Sequence, residues 1–350
     1  MRRCTRCVLP ETYPEISFDK QGVCNYCQTW TAPISPLGPE KLEAVLQHYR
    51  KGNGQLDCLV ACSGGRDSSF VLFELKERWG MHPLVFNYAN GFVASQAEKN
   101  LEHLTRKMNV PLLRVESKRH IQEKLFKSFM ALNAQKSRAH VLNQLCVGCR
   151  NGIWGGAFKV AAEQGLELVV FGESNMESMV FRRILARQLE PDFTAKIKST
   201  ISMPGNFVQR KIQEQQLNRE FPLHSEKYKH LVKLNYFAYI GWDETKILET
   251  LDAIGWQAID RRSAWRFDCQ IHALGNFLNR QLYQFTEKDE LYSKMICAGI
   301  ITRAEALDKI RLSQAQKEQE LATIASLFEK SKIKESLRDK VLGADVLQMG

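Results

Sequence analysis

The chain has 350 residues, of which 44% are hydrophobic, and a net charge of +10. That length can hold one large or two modest domains, and the composition is sufficient for a hydrophobic core. No apolar run approaches the ~18–20 residues that span a bilayer, and the N-terminus has no hydrophobic signal segment. The sequence therefore predicts a soluble, cytoplasmic protein without a membrane partner. The positive charge favours an anionic ligand, either a nucleotide, a nucleotide-linked sugar or RNA.

Residues 1–35 contain two Cys-x-x-Cys pairs separated by sixteen residues, Cys4 with Cys7 and Cys24 with Cys27. Ten cysteines in a chain expected in a reducing compartment favour metal or sulfur chemistry over disulfides. The spacing is typical of a tetrahedral zinc site with four thiolate ligands. Because all four ligands come from the protein, the zinc is expected to be structural and to supply much of this segment's stability.

The next stretch is predicted to be a linker followed by one amphipathic helix. Three prolines lie in residues 33–39, and helical periodicity covers residues 39–50. A Gly-Asn-Gly turn at 52–54 ends that helix. Residues 1–35 are therefore treated as one unit, and a second unit begins near residue 55.

From residue 57, apolar runs alternate with segments of helical period. Such alternation predicts an α/β fold with a parallel sheet covered on both faces. A parallel sheet binds its ligands at the carboxyl ends of its strands. The predicted strands cover 58–62, 84–88, 112–115, 168–171 and 231–237, and the helices between the first four cover 69–79, 95–108 and 155–164.

Residues 63–68, Ser-Gly-Gly-Arg-Asp-Ser, follow the first predicted strand and open a helix. Glycines let the backbone approach an anion and adopt positive φ, and the first turn of a helix offers free N–H groups to phosphate. The Walker pattern GxxxxGK[ST] is absent here, which disfavours a kinase or GTPase. The segment resembles the PP-loop of the ATP pyrophosphatase superfamily, whose members hold the pyrophosphate of ATP and transfer AMP to a substrate oxygen.

Each residue of this loop has an expected role. Gly64, Gly65 and Ser68 are expected to hold pyrophosphate. Ser63 adds a hydroxyl donor, and Arg66 places a cation near the phosphates. Asp67 is expected to bind Mg²⁺, with a role as the helix N-cap as its alternative.

Two further polar clusters follow predicted strands. Asn90 and Gly91 lie where a nucleoside would bind, although a plain Asn-Gly turn is the alternative. Gly172 and Glu173 lie at the end of the fourth strand, with Gly172 counted among the ATP-binding residues. Glu173 could bind a second cation or orient ammonia, or it could be a surface carboxylate that caps a helix.

Cys146 and Cys149 form a third Cys-x-x-Cys pair, and Cys269 lies far from it in sequence. Three interpretations stay open for these thiols. They could form a structural knuckle or second metal site, ligate three irons of a [4Fe-4S] cluster, or include a persulfide carrier. The last interpretation rests on thiolate nucleophilicity and on the neighbouring Arg150.

The remaining sequence divides into a basic stretch and a helical region. Residues 180–230 hold ten Lys and Arg against five Asp and Glu, which suits either a solvated surface or a lid over an anionic substrate. We predict an ATP-binding domain over 55–242, interrupted by this insertion, and a helical region over 243–350. Within the latter, Thr302 and Glu305 form a capping box.

Five motifs in this order resemble the N-acetyl sugar amidotransferases, PP-loop proteins of bacterial O-antigen gene clusters. The resemblance extends from Cys4 to the helix at 301–307, and it departs from the family at Arg66, where Lys is common. Lysine is a point charge and arginine a planar fork, so the departure concerns phosphate geometry. The motifs are the paired N-terminal cysteines, SGGRDS, CVGCRNG at 146–152, VFGES at 170–174 and WRFDC at 265–269.

The resemblance implies a two-step reaction on a nucleotide-linked N-acetyl sugar. ATP adenylates the acetamido oxygen, and ammonia then displaces AMP to leave an acetamidino group for a surface polysaccharide, in O-antigen or lipopolysaccharide synthesis. It also implies partners that supply ammonia, a glutaminase and a cyclase-like barrel related to the histidine-pathway synthase. With Asp67 and Glu173, the pair Cys146 and Cys149 completes the expected catalytic set.

Two other functions stay open. An ATP-dependent sulfurtransferase acting on tRNA or a small molecule would use the three cysteines. The aromatic residues of 180–230 are widely spaced, which disfavours RNA binding. A nucleotide-sensing module without turnover is the third hypothesis, and it predicts ATP binding without pyrophosphate release.

Overall fold

The structure is a computed structural model. It describes residues 1–31, 35–116, 123–127, 130, 149, 151–174, 176, 180–181, 184, 215–217, 219–222, 225–258, 269–315 and 317–342. Among these residues, no helix combines the length and the apolar character that crossing a membrane requires.

Five parallel strands form the central sheet, in the order β3-β2-β1-β4-β5. The predicted α/β class and parallel sheet are confirmed, and each strand lies within one or two residues of its predicted position. The strands are β1 (Cys58–Ala61), β2 (Pro83–Tyr88), β3 (Leu112–Val115), β4 (Leu168–Phe171) and β5 (Val232–Asn235).

Helices cover both faces of the sheet because successive strand residues point to opposite sides. Cys58 and Val60 pack into a cluster with α2, α3, α4 and α6, whereas Leu59 and Val169 pack against α5. The helices up to α6 are α1 (Asn25–Gln28), α2 (Pro39–Tyr49), α3 (Arg66–Phe73), α4 (Ser95–Lys107), α5 (Gly156–Glu163) and α6 (Glu244–Ala253).

The helical layers cover the three central strands more completely than the two edge strands. Strand β1 is largely buried, and strands β2 and β4 are fully buried. Leu113 and Arg114 of β3 are exposed, as are Val232 and Lys233 of β5. An edge strand has a neighbour on one side alone, so its side chains reach solvent at the margin of the helical layers.

Two π-helical turns modify the predicted helices. α3 begins at Arg66, three residues before the predicted start, because Gly65 is extended and serves as the N-cap. The helix then widens over Glu74–Arg78, where the Trp79 N–H donates to the Glu74 carbonyl at 2.9 Å. A second π-helix, Asn151–Gly155, precedes α5.

The C-terminal region is helical where it is described, as predicted. The capping box holds: the Thr302 N–H donates to Glu305 at 2.7 Å and the Glu305 N–H to the Thr302 hydroxyl at 3.2 Å. The predicted domain boundaries stay predictions. Helix α2 precedes the predicted ATP-binding domain and helix α6 follows it, and both share one hydrophobic core with the sheet. The helices are α7 (Gln270–Tyr283), α8 (Glu287–Cys297), α9 (Arg303–Ala315), α10 (Lys317–Lys330) and α11 (Glu335–Leu342).

Candidate functional site

The sheet has its topological switch point between β1 and β4. β1 pairs with β2 on one side and with β4 on the other, all parallel. The chain after β1 folds onto one face, and the helix before β4 packs on the opposite face. In such sheets a crevice opens outside the carboxyl ends of the two strands. Residues 63–65 and 172–174 lie at those ends.

The loop at 63–68 is braced by its own hydroxyl groups. The Ser68 Oγ accepts from the Ser63 N–H at 3.2 Å and contacts the Ser63 Oγ at 3.2 Å. The Gly65 N–H donates to the Ser63 Oγ, also at 3.2 Å. No side chain caps α3, since its N-cap is a glycine. The loop therefore presents a helix N-terminus suited to an anion.

Gly64 needs the conformational freedom of glycine, and Gly65 does not. Gly64 has φ of +80°, and a Cβ on it would lie 2.0 Å from the carbonyl oxygen of Ala97. Gly65 has φ of −72°, so the expectation of positive φ at both glycines is wrong for Gly65. Its extended backbone is what an N-cap position requires. On the other side of Gly64, the indole N–H of Trp256 donates to its carbonyl at 3.0 Å.

Arg66 is engaged by carboxylates. Its Nε and Nη2 donate to the two oxygens of Asp67 at 2.7 and 3.3 Å, and its Nη1 donates to Glu244 at 2.7 Å. The guanidinium lies over the ring of Trp242 at 5.0 Å and is 8% exposed. Lys309 also binds Glu244, at 3.3 Å. Arg66 thus ties the first turn of α3 to α6, and Asp67 lies in that turn instead of capping it.

Glu173 lies at the carboxyl end of β4 within a group of side chains from three elements. It accepts from the Trp154 indole at 2.7 Å and from the Lys233 ammonium at 3.3 Å. The ammonium lies 3.8 Å from the centre of the Trp154 ring. Glu173 therefore has partners other than a helix N-terminus. The preceding Gly172 lets β4 run against α3, because its Cβ would lie 3.2 Å from the Asp67 carbonyl.

Two cysteines contact the turn after β2, Cys149 through its sulfur and Cys269 through its backbone. The Asn90 side chain accepts from the Phe92 N–H at 2.7 Å and donates to the Cys149 sulfur at 3.5 Å. Val93 forms a backbone bridge with Cys269. Gly91 has φ of +81°, as an Asn-Gly turn requires. Cys146 lies outside the described residues, as do most of 180–230 and the WRFD residues before Cys269, so the three-thiol site stays a prediction.

Cys4, Cys7, Cys24 and Cys27 form a buried group whose sulfurs all lie within 4.8 Å of one another. The Cys4–Cys27 and Cys7–Cys24 sulfur distances are 3.9 and 3.8 Å. A tetrahedron with Zn–S bonds of about 2.3 Å has edges of about 3.8 Å. The predicted four-cysteine metal site is thus confirmed as a geometry that fits zinc.

Backbone hydrogen bonds to sulfur suit a metal site, and the thiols interact strongly enough to shift their pKa values in opposite directions. The N–H groups of Cys7 and Cys24 donate to the Cys4 sulfur at 3.4 and 3.2 Å. Hydrogen bonds from Cys24 and Cys27 hold the pKa of Cys7 well below its usual range, while the hydrogen bond with Cys24 raises the pKa of Cys27. Four adjacent thiolates need a cation to coexist, which a dication supplies.

Several residues around these sites carried no local signal in the sequence. Arg303 of α9 donates to the carbonyls of Cys4 and Cys7 at 3.0–3.2 Å. The sulfur of Cys297 lies 3.6 Å from that of Cys27. Trp256 and Glu244 are distant in sequence from the loop that they contact. The one available clue was the apolar residue at 256, two positions after the C-cap Ile254.

Comparison with known proteins adds little to this geometry. No family model matches the chain. A stretch of 114 residues is 29% identical to part of an uncharacterized protein from Methanocaldococcus jannaschii. The stretch covers 32% of this chain and 41% of that protein, so the chain matches less than half of its relative's length.

Proposed function

We propose that the protein is an ATP-dependent, AMP-forming amidotransferase of the PP-loop type. Its substrate is a nucleotide-linked N-acetyl sugar, whose acetamido group becomes an acetamidino group. The observation that carries the proposal is the SGGRDS loop at the switch point of a parallel sheet, with an uncapped helix behind it.

The loop residues suit pyrophosphate better than they suit a bare structural turn. Gly64 has no room for a side chain, and the hydroxyls of Ser63 and Ser68 are directed at one another within the loop. Backbone N–H groups at the start of α3 can receive the phosphate oxygens. An anion at this point also gains from the dipole of α3.

The substrate chemistry needs little more than positioning and charge neutralisation. The acetamido oxygen attacks the α-phosphorus, and the bond from that phosphorus to pyrophosphate breaks. Ammonia then adds to the activated carbon, the carbon–oxygen bond to AMP breaks, and a proton is lost. The acetamido oxygen consequently leaves in the phosphate of AMP.

Asp67 and Glu173 are the carboxylates that fit a role in this reaction. Asp67 is the acidic residue of the first turn of α3, next to the phosphate loop, and its side chain is 11% exposed. Each of its oxygens accepts one hydrogen bond from Arg66 and keeps a lone pair that could ligate Mg²⁺, and the ion would neutralise phosphate charge. Glu173 is held at the facing strand end by Trp154 and Lys233, where it can orient the incoming ammonia.

Ammonia comes from partners in this proposal, a glutaminase and a cyclase-like subunit. The four-cysteine site would hold structural zinc. The basic residues 180–230, most of which lie outside the described part of the chain, would form a lid over the anionic substrate.

The test follows the acetamido oxygen. The full chain is incubated with Mg·ATP, ammonium chloride in place of the partners, and uridine diphosphate N-acetyl sugars labelled with ¹⁸O in the acetamido group. AMP and pyrophosphate should form in equal amounts, with ¹⁸O in AMP. Formation of ADP would contradict the proposal, and ATP binding without pyrophosphate release would favour a nucleotide sensor.

A second candidate is an ATP-dependent sulfurtransferase acting on tRNA or a small molecule. It is favoured by one observation, the approach of Cys149 and Cys269 to the same turn at 90–93. Anaerobic purification followed by zinc, iron and sulfide analysis separates the candidates. About one zinc without iron supports the amidotransferase, whereas about four irons and four sulfides in addition place a cluster on these cysteines and favour sulfur transfer.

A further inference from the structure

Trp256 joins the helical region to the phosphate loop by a buried hydrogen bond. Its indole N–H donates to the carbonyl of Gly64 at 3.0 Å, and its side chain is 8% exposed. The two residues are 192 positions apart in sequence. A tryptophan N–H finds a partner when it is buried, and here that partner is the most constrained glycine of the loop.

The end of α6 places Trp256 by a Schellman motif. The Trp256 N–H donates to the Leu251 carbonyl at 3.0 Å, and the Gly255 N–H donates to the Asp252 carbonyl at 3.1 Å. Gly255 has φ of +84°, the left-handed conformation that this motif requires. Trp256 and Leu251 belong to the same hydrophobic cluster. The position of the indole is therefore set by local helix chemistry as well as by packing.

Helix α4 fixes both sides of this contact. The Asn100 side chain donates to the Gln257 carbonyl at 2.8 Å and accepts from the Gln257 N–H at 3.0 Å. One turn earlier, the Ala97 carbonyl leaves no space for a Cβ on Gly64. Gly64 is thus held between α4 and the indole of Trp256.

The orientation of one peptide group follows from this arrangement. In a trans peptide the C=O and the next N–H point in opposite directions. With the Gly64 carbonyl directed at Trp256, the Gly65 N–H points to the other side, where it donates to the Ser63 Oγ. A Gly-Gly peptide turns over more easily than other peptides, because neither residue has a Cβ to resist the change. The opposite orientation would place a carbonyl oxygen, and not a donor, inside the loop.

We infer that Trp256 is a positioning residue for the phosphate loop. It holds the Gly64–Gly65 peptide with its N–H directed into the loop, where that N–H bonds the Ser63 hydroxyl, and it acts through the backbone without touching the ligand. The inference rests on the proposed function in one respect, that the loop binds pyrophosphate. Donors fixed before the ligand arrives need no reorganisation on binding.

The test compares Trp256→Phe with Trp79→Phe. Trp79 is the matched control because its indole N–H also makes one internal hydrogen bond, to the Tyr236 hydroxyl at 3.3 Å, away from the loop. Affinities are measured by calorimetry for Mg·pyrophosphate, Mg·ATP and adenosine. A lost hydrogen bond of about 0.5–1.5 kcal/mol corresponds to about a 2- to 12-fold change in affinity.

Trp256→Phe should weaken pyrophosphate and ATP binding by that factor and leave adenosine binding unchanged, while Trp79→Phe leaves all three unchanged. If Trp256 had a merely structural role, Trp256→Phe would weaken the binding of all three ligands together, and that result would overturn the inference. Equal pyrophosphate affinity in the two variants would also overturn it. Failure of the wild-type chain to bind pyrophosphate or ATP would instead refute the proposed function.

An isosteric replacement covers the case in which Trp256→Phe does not fold. The benzothiophene analogue of tryptophan, inserted at position 256 by stop-codon suppression, keeps the ring shape and removes the N–H alone. The same selective loss of pyrophosphate affinity is expected with an unchanged unfolding temperature. Wild-type pyrophosphate affinity in this analogue would overturn the inference.

Discussion

Asp67 has two candidate roles that one pair of variants can separate. It is an ion-pair partner of Arg66 in the structure, and it is the proposed magnesium ligand. Glu244 is the other partner of Arg66, at the same 2.7 Å distance. Asp67→Asn and Glu244→Gln therefore each remove one carboxylate charge from the same guanidinium.

The expected loss of stability is similar for the two variants. A hydrogen bond to a charged group contributes about 1.5–3 kcal/mol and a neutral one about 0.5–1.5 kcal/mol. The amide keeps an acceptor oxygen, so each variant loses about 1–2 kcal/mol of unfolding free energy by this difference. The second carboxylate still neutralises Arg66, which avoids the larger penalty of an unpaired buried charge.

Activity should distinguish the variants. Asp67→Asn is expected to lower AMP formation by about 10²-fold or more, the effect of losing one fixed electrostatic contact in a reaction site. Glu244→Gln should stay within a few-fold of the wild type. The assay is AMP formation at saturating Mg·ATP, with unfolding in urea measured in parallel.

Two results would refute this reasoning. Equal losses of AMP formation in Asp67→Asn and Glu244→Gln would mean that Asp67 acts through Arg66 alone. Unchanged turnover in Asp67→Asn would remove Asp67 from the magnesium role. Restoring activity by raising Mg²⁺ in Asp67→Asn, but not in Glu244→Gln, would support a direct metal contact.

Three further predictions concern the rest of the molecule. Metal analysis should find about one zinc per chain, and a chelator should lower the unfolding temperature; an unchanged temperature after zinc loss contradicts a structural metal. Gly152→Ala places a Cβ 2.1 Å from the Tyr88 ring and should lower the free energy of unfolding in urea by about 1–3 kcal/mol. Its control is Gly275→Ala, which has open space around it inside α7 and should leave that free energy unchanged or raise it. Burial and the charge of Glu290 raise the pKa of Tyr13. The contribution of the protonated Tyr13 hydroxyl to stability is therefore present below about pH 10 and falls as the pH rises above that value. Tyr13→Phe should flatten the decline of the unfolding free energy at alkaline pH.

The elements that the sequence predicted well depend on local pattern. Strands β1 to β4 are short apolar runs between helical segments, and alternation alone predicts a parallel sheet. The four-cysteine site was predictable because the spacing of two close pairs restricts the ligand geometry. The capping box at 302–305 was predictable for the same reason, since its two hydrogen bonds lie within four residues.

The features that the sequence did not predict depend on contacts between distant residues. Nothing near Arg66 indicates Glu244, and nothing near Gly64 indicates Trp256. The π-helical turn at Glu74–Arg78 follows from one shifted hydrogen bond and leaves hydrophobic periodicity almost unchanged. The order of the strands, and with it the exposed edges of β3 and β5, was not predicted because a short apolar run does not indicate whether a strand lies at an edge or in the centre of a sheet.

The candidate nucleotide site and the candidate zinc site are connected through one helix. α9 begins with Arg303, whose guanidinium binds the carbonyls of Cys4 and Cys7. Six residues further, Lys309 of the same helix binds Glu244, the carboxylate that shares Arg66 with Asp67. Six residues span about 9 Å along a helix. A rigid stretch of α9 of that length therefore connects the four-cysteine group, through Arg303, to the first turn of α3, through Lys309 and Glu244. Helix α9 therefore links the four-cysteine group to the ion pairs that fix Arg66 in the 63–68 loop.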